Sequence, residues 1–274
     1  MRTRSFVKWS LALVVLALLA VLAAGVMAQE DTRTAPVAWP DLGGREVVFA
    51  TTNDYPPYQF FDENNVLVGW EYDTIRDICA LINCTPVFEQ TSWEGMLIAV
   101  SNGDFDVGTG GITYTAERDE ILDFTALFHT YAERLLVVDG ESRFTDAAGL
   151  IALGDYTVGT QIGTTNELTA QGLFGADNVN SYENFGAAVQ ALVNGDVDAV
   201  VIDGPAGEGF IEAQGGLMML DDILTGTQGL AFPMTPGSDL VQPFNAAMAA
   251  LKASGRWTET CTKWFPESTA EFCS

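Results

Sequence analysis

The sequence predicts an α/β protein of two similar lobes joined by a hinge of two crossing strands. Three observations carry this. The phrase N-G-D-x-D occurs twice, at Asn102 and Asn194, an offset of 92 residues. In each copy an apolar helical stripe runs into Asn-Gly, which stops it, and the chain then enters a short apolar strand. Two further extended runs, ERLLVV from Glu133 and TQGLAFPM from Thr227, bracket about ninety residues of a second α/β unit.

Residues 1–28 read as a signal peptide. Arg2, Arg4 and Lys8 form a basic start, Leu11 to Val26 carries no charge, and Val26-Met27-Ala28 offers a cleavage site before Gln29. The apolar run approaches membrane-spanning length, but the polar QEDTRT after the cut favours an export signal over a retained anchor. No cysteine lies near the cut, so no lipid anchor is expected there. The mature chain is expected to be periplasmic or extracellular.

Residues 29–44 are polar and read as a flexible lead-in. REVVFAT, Arg45 to Thr51, is a buried strand, and Tyr55-Pro56-Pro57-Tyr58 forces a turn at its end. After Trp70, the residues Ile75, Ile78, Cys79 and Ile82 fall on one helical face, and PVFEQ follows as a strand. In the first repeat Trp93, Met96, Leu97 and Val100 make the apolar face; in the second, Val189, Leu192 and Val193 face inward. Both copies are the αβ half of a crossover unit, each delivering a strand end to a site. One lobe then comprises residues 45–134 plus 229–274 and the other 139–225, with the cleft between them as the binding place.

The 274-residue chain has a formal charge of −25, and loss of the leader removes three positive charges, leaving −28. Such a surface repels nucleic acid and anionic membranes. Four cysteines fit an oxidising compartment. Cys79 and Cys84 can pair if the helix ends near Asn83, which leaves Cys261 and Cys273 to staple the tail; three connectivities are open, and proximity selects this one. His129 is the sole histidine and no Cys-x-x-Cys occurs, so neither a metal site nor a cofactor is expected.

YPPYQF, VGWEYD, SWEGMLIAVSNGDFDVGTGGITYTAER, DFT, VGTQIGTTNE, NGDVDAVVIDGP and KWF appear in this order across nearly the whole mature chain. The set resembles the amino-acid-binding family, family 3, of extracellular solute-binding proteins that feed ABC importers. The resemblance implies a two-lobed periplasmic-binding-protein-like fold of type II, closing over one free amino acid.

It also implies roles, each with a physical rationale. Arg118 holds the ligand carboxylate, for which a planar guanidinium fork is suited. Thr113 and the backbone of Gly111 complete that shell, and Thr165, at a helix start, adds an anion-friendly N-terminus. Asp203 ends the second repeat's strand and partners the α-ammonium. Tyr55 and Trp93 are aromatic platforms, although Trp93 also belongs to the helix stripe. Thr52 stands where members for basic ligands often carry an acid, and Gln161 where some others carry a lysine. Neither brings a full charge, which favours a polar uncharged or apolar ligand unless Glu71 or Glu94 reaches the cleft.

The expected function is capture of an amino acid by a monomer and delivery to a membrane ABC permease, without catalysis. The alternatives are a dehydratase-like enzyme on the same scaffold and a soluble ligand-sensing protein. His129 follows Asp123-Phe124-Thr125 in an aromatic-rich stretch and is read as structural.

Overall fold

The computed structural model describes residues 39–265; the predicted signal peptide and Cys273 lie outside the described residues. Of the lead-in only its last residues are described, and there Leu42 and Gly44 donate backbone hydrogen bonds to the carbonyls of Ile82 and Asn83.

REVVFAT forms the strand Arg45–Thr51, with Val47, Phe49 and Ala50 fully buried. It belongs to a five-stranded sheet in the order Cys84–Gln90, Arg45–Thr51, Val107–Gly108, Pro233–Met234, Asp123–Phe124. The first three strands are parallel, and Pro233–Met234 runs antiparallel to both its neighbours. The second sheet repeats the plan in the order Val179–Tyr182, Val158–Gln161, Ala199–Asp203, Glu133–Val138, Leu217–Ile223. Again three strands are parallel and the fourth is antiparallel to the third. In each sheet that fourth strand is supplied by chain that has just crossed from the other sheet. At the crossing His129–Tyr131 pairs antiparallel with Gln228–Leu230, so the two connections brace each other.

The repeated phrase has a structural meaning. The helices Trp93–Asn102 and Phe185–Asn194 both end on a glycine in the left-handed region, Gly103 at φ 81° and Gly195 at φ 78°. The same pair of bonds closes each helix: Gly103 N–H to Val100 and Asp104 N–H to Ala99, Gly195 N–H to Leu192 and Asp196 N–H to Ala191. The last aspartate of each copy then clips onto the parallel neighbour of its strand, at Val48 within Arg45–Thr51 and at Thr157 just before Val158–Gln161. Asp106 Oδ2 accepts from Val48 N–H at 2.8 Å while its own N–H donates to the Val48 carbonyl; Asp198 does the same with Thr157, its Oδ2 accepting at 2.9 Å. Each also faces an arginine, Arg45 for Asp106 and Arg143 for Asp198.

The helix Trp70–Ile82 buries Ile75, Ile78, Cys79 and Ile82 as its spacing predicts. It ends at Asn83, left-handed at φ 55°, and the turn brings Cys79 and Cys84 into a disulfide. Cys261 is also disulfide-bonded, but the expected pairing with Cys273 lies outside the described residues. One inward assignment differs: Val193 is 49% exposed, while Phe185, Ala188, Val189 and Leu192 make the buried face. Ala191 is buried with them, so the inward face is centred near Phe185, Ala188 and Leu192 and Val193 falls on its rim. Among the described residues no helix is long and apolar enough to cross a membrane.

Candidate functional site

All nine residues singled out in the sequence line one cavity between the two sheets. Thr52, Tyr55, Trp93, Gly111, Thr113 and Arg118 come from the side of the first sheet, and Gln161, Thr165 and Asp203 from the second. Its volume, counted as space for the centre of a water molecule, is about 20 Å³, room for one or two waters. The walls therefore touch across the cleft.

The strand ends position these groups. Gln59 Oε1 accepts from the N–H groups of Thr52 and Asn53, fixing the end of Arg45–Thr51. Gly110-Gly111 follows the repeat strand, and Gly111 sits at φ +64° with its missing Cβ only 2.5 Å from Tyr55 Cε1. Any side chain there would displace the tyrosine. Thr115 caps the short helix Ala116–Asp119 by accepting from Arg118 N–H, which delivers the Arg118 side chain to the cavity. Arg118 Nη1 donates to the Thr113 carbonyl at 2.8 Å, and its Cζ lies 5.6 Å from the centroid of the Trp93 ring. Trp93 still packs with Leu97 against the cluster that holds Met96 and Val100, as the stripe predicts, and it lines the cavity as well, although Glu94 and Gly95, the latter at φ 90°, kink the first turn of the helix.

From the second sheet, Thr164 Oγ1 accepts from Glu167 N–H and caps the helix Thr165–Phe174, whose N-terminus faces the cavity. Asp203 is 3% exposed. Tyr55 donates its hydroxyl to Asp203 Oδ2 at 2.5 Å, and Asn166 Nδ2 donates to Oδ1 at 2.8 Å. Thr113 and Thr165 meet across the cleft at 3.4 Å, and Thr113 also bonds the Tyr131 hydroxyl at 2.6 Å.

The electrostatics follow from burial. Loss of solvent pushes the Asp203 carboxyl up to about 7 against the pull of Tyr55 and Asn166. The same desolvation lowers the Arg118 guanidinium pKa, and among the described residues no carboxylate pairs with it. A desolvated cation and a desolvated carboxylate thus face one space from opposite walls.

Glu71 and Glu94 do not line this cavity. Glu71 is buried behind it, accepting from Gly110 N–H at 2.8 Å and Gly111 N–H at 3.0 Å, and burial pushes its carboxyl up to about 7. Glu94 is exposed on an outer groove beside Trp93. His129 is 2% exposed, packs 4.2 Å from the Trp70 ring, and is outside the cavity lining.

Sequence reasoning did not name Asp54, Gly110, Thr164, Asn166 and Phe185 as site residues, and all five are in the lining. Phe185 was within reach: the repeat offset of 92 carries Trp93 onto Phe185, just as it carries Gly111 onto Asp203. The Phe185 ring stacks 5.4 Å from Tyr55. No sequence pattern marks Asp54.

Residues 47–267 match the model of the bacterial extracellular solute-binding proteins, family 3. The chain belongs to that family. Its family 3 relatives include a probable histidine-binding protein of Neisseria gonorrhoeae, 26% identical over 94% of this chain and 95% of the relative. ABC transporter arginine-binding protein 1 of Escherichia coli is 24% identical over 81% of this chain and 91% of its own length. Among solved structures, the ancestral amino acid-binding protein AncCDT-1, a precursor of cyclohexadienyl dehydratase, is 26% identical with a TM-score of 0.72, covering 80% of this chain and 95% of that one. Two-lobed α/β architecture is common to this chain and its structural neighbours, and family 3 proteins are extracellular or periplasmic.

Proposed function

We propose that this family 3 protein captures one free α-amino acid between its lobes, residues 45–134 plus 229–274 and 139–225, and presents it to a membrane ABC importer. The observation that carries this is the opposition of Arg118 and Asp203 across one cavity. A guanidinium without a carboxylate partner suits an α-carboxylate, and a buried Asp203 suits an α-ammonium. Thr113 and the Thr165 helix N-terminus complete the carboxylate side, whereas the Gly111 N–H, expected to join them, is taken by Glu71 behind the cavity; Tyr55, Trp93 and Phe185 supply ring faces. Ligand contacts to both lobes add to the direct Tyr55–Asp203 and Thr113–Thr165 contacts and shift the population toward the closed state, which is the signal an importer reads. The protein acts as an exported monomer with its leader removed.

The relatives' names point to histidine and arginine, whereas Thr52 and Gln161 alone point to a polar uncharged or apolar side chain. One observation favours a second reading, an enzyme on this scaffold: Asp203, held at about 7 inside the cavity, is a candidate proton carrier. Residues 29–274, unfolded and refolded to strip carried-over ligand, would be screened by thermal shift against all L-amino acids. Ligand at a hundredfold over Kd adds about 2.7 kcal/mol, a rise of several degrees. Stabilisation by one or a few amino acids without turnover supports capture. Silence across the panel removes it, and conversion of a hit moves the protein to the enzymes.

A further inference from the structure

The cavity walls carry one cation, Arg118, and two carboxylates, Asp54 and Asp203. If the site holds an α-amino acid, as proposed above, the ligand carboxylate answers Arg118 and its ammonium answers Asp203. Asp54 is then left over. It begins the short strand Asp54–Tyr55, is half-buried, and has no ion pair among the described residues. Burial raises its carboxyl pKa, and the groups that oppose the rise, the Thr52 side chain and its own backbone, are neutral. Arg45, Arg76, Arg134, Arg143, Arg256 and Lys263 pair with other acids. A desolvated carboxylate on the wall of a ligand cavity that carries a second carboxylate is costly until a cation arrives.

We infer that the ligand is an α-amino acid bearing a second cationic group, an ammonium or guanidinium on its side chain, and that Asp54 is the residue that reads it. The acid missing at position 52 is present two residues later, on the same cavity. Thr52 and Gln161 are neutral hydroxyl and amide neighbours able to accept the remaining N–H groups of such a head. A neutral amino acid satisfies Arg118 and Asp203 equally well but leaves Asp54 without a counter-charge. The cavity as a whole therefore discriminates by net charge, and the discrimination sits on one side chain.

The test is calorimetric titration of the refolded mature chain with L-arginine and L-lysine and with their neutral counterparts L-citrulline and L-norleucine, in wild type and Asp54→Asn. A hydrogen-bonded charge pair corresponds to a preference on the order of 10- to 100-fold. The wild type is expected to favour a cationic ligand by that factor over its counterpart, and the ratio should fall to within about threefold of unity in Asp54→Asn. A ratio unchanged in the variant overturns the inference, as does equal loss for both ligands, which marks a packing role. Neutral amino acids binding more tightly than cationic ones leave the amino-acid reading standing and remove this one alone. No binding by any amino acid removes both.

Discussion

The Tyr55 hydroxyl and the Asp203 carboxylate, 148 residues apart in sequence, hydrogen-bond across the cleft at 2.5 Å. Tyr55 belongs with the first sheet and Asp203 ends a strand of the second, so the bond is a direct tie between the two walls. It also occupies one of the two carboxylate oxygens, Asn166 holding the other. A ligand ammonium therefore meets an aspartate already oriented by two donors. Tyr55→Phe keeps the ring against Phe185 and removes only the hydroxyl. Amino-acid affinity is expected to fall about tenfold, as read by calorimetric titration; unchanged affinity would show that the tie plays no part in binding.

Arg118→Ala is expected to weaken amino-acid binding by at least about a hundredfold, because a ligand carboxylate is left in a desolvated wall without its partner. The fold should persist, since the Arg118 side chain makes one hydrogen bond, to the Thr113 carbonyl, and a ring contact, and its backbone bond to Thr115 survives in alanine. Circular dichroism and the thermal midpoint check the second half of the statement. Asp203→Asn should cost amino acids far more than their deaminated analogues. Equal losses for the two ligand classes would remove Asp203 from the ammonium role.

Stability should fall with pH through the range set by Glu71. Burial raises this carboxyl from 4.5 to about 7, so between those values the folded protein holds the proton that the unfolded chain has released. The contribution is fully present below about 4.5 and is lost as pH rises through about 7, by roughly 3 kcal/mol at most. Asp203, also raised to about 7, adds to the same slope. Glu71→Gln should therefore flatten the decline between pH 5 and pH 8 in denaturant titrations of the ligand-free protein. Parallel slopes in wild type and variant would contradict the assignment.

The two copies of the repeat should respond alike to loss of their final aspartate. Asp106→Ala and Asp198→Ala each release a backbone N–H, of Val48 within its strand and of Thr157 just before its strand, and break a contact with an arginine. Each is expected to lower stability by about 1–3 kcal/mol, measured by chemical denaturation. A loss confined to one copy would mean that the second clip is redundant.

Much of this protein was legible in local pattern. Helical spacing placed Ile75, Ile78, Cys79 and Ile82 inside, and Asn-Gly marked both repeat helix ends. These signals act over a few residues, through backbone dihedrals and one face of one element, and no distant partner is needed to read them. Val193 shows the limit. Its spacing from Val189 is helical, but the buried face is centred near Phe185, Ala188 and Leu192, and Val193 lies on its rim.

The site divides along the same line. The resemblance assembled nine positions, and the fold brings all nine to one cavity. It did not reveal Asp54, whose neighbours in sequence give no hint that a charged side chain is drawn to the wall. Nor could spacing tell that Glu71 turns behind the Gly110-Gly111 turn to hold it, whereas Glu94, one residue past Trp93, stays in solvent.

By itself, then, the sequence determined the duplicated αβ units, their caps and the chemical types available to a binding site, because propensity, periodicity and turn chemistry are properties of short segments. Tertiary structure alone decided which carboxylates are desolvated and which groups oppose one another. Burial and charge pairing depend on what arrives from elsewhere in the chain: Asp203 acquires its raised pKa and its tyrosine only when two sheets, built from separated stretches, face each other across the cleft.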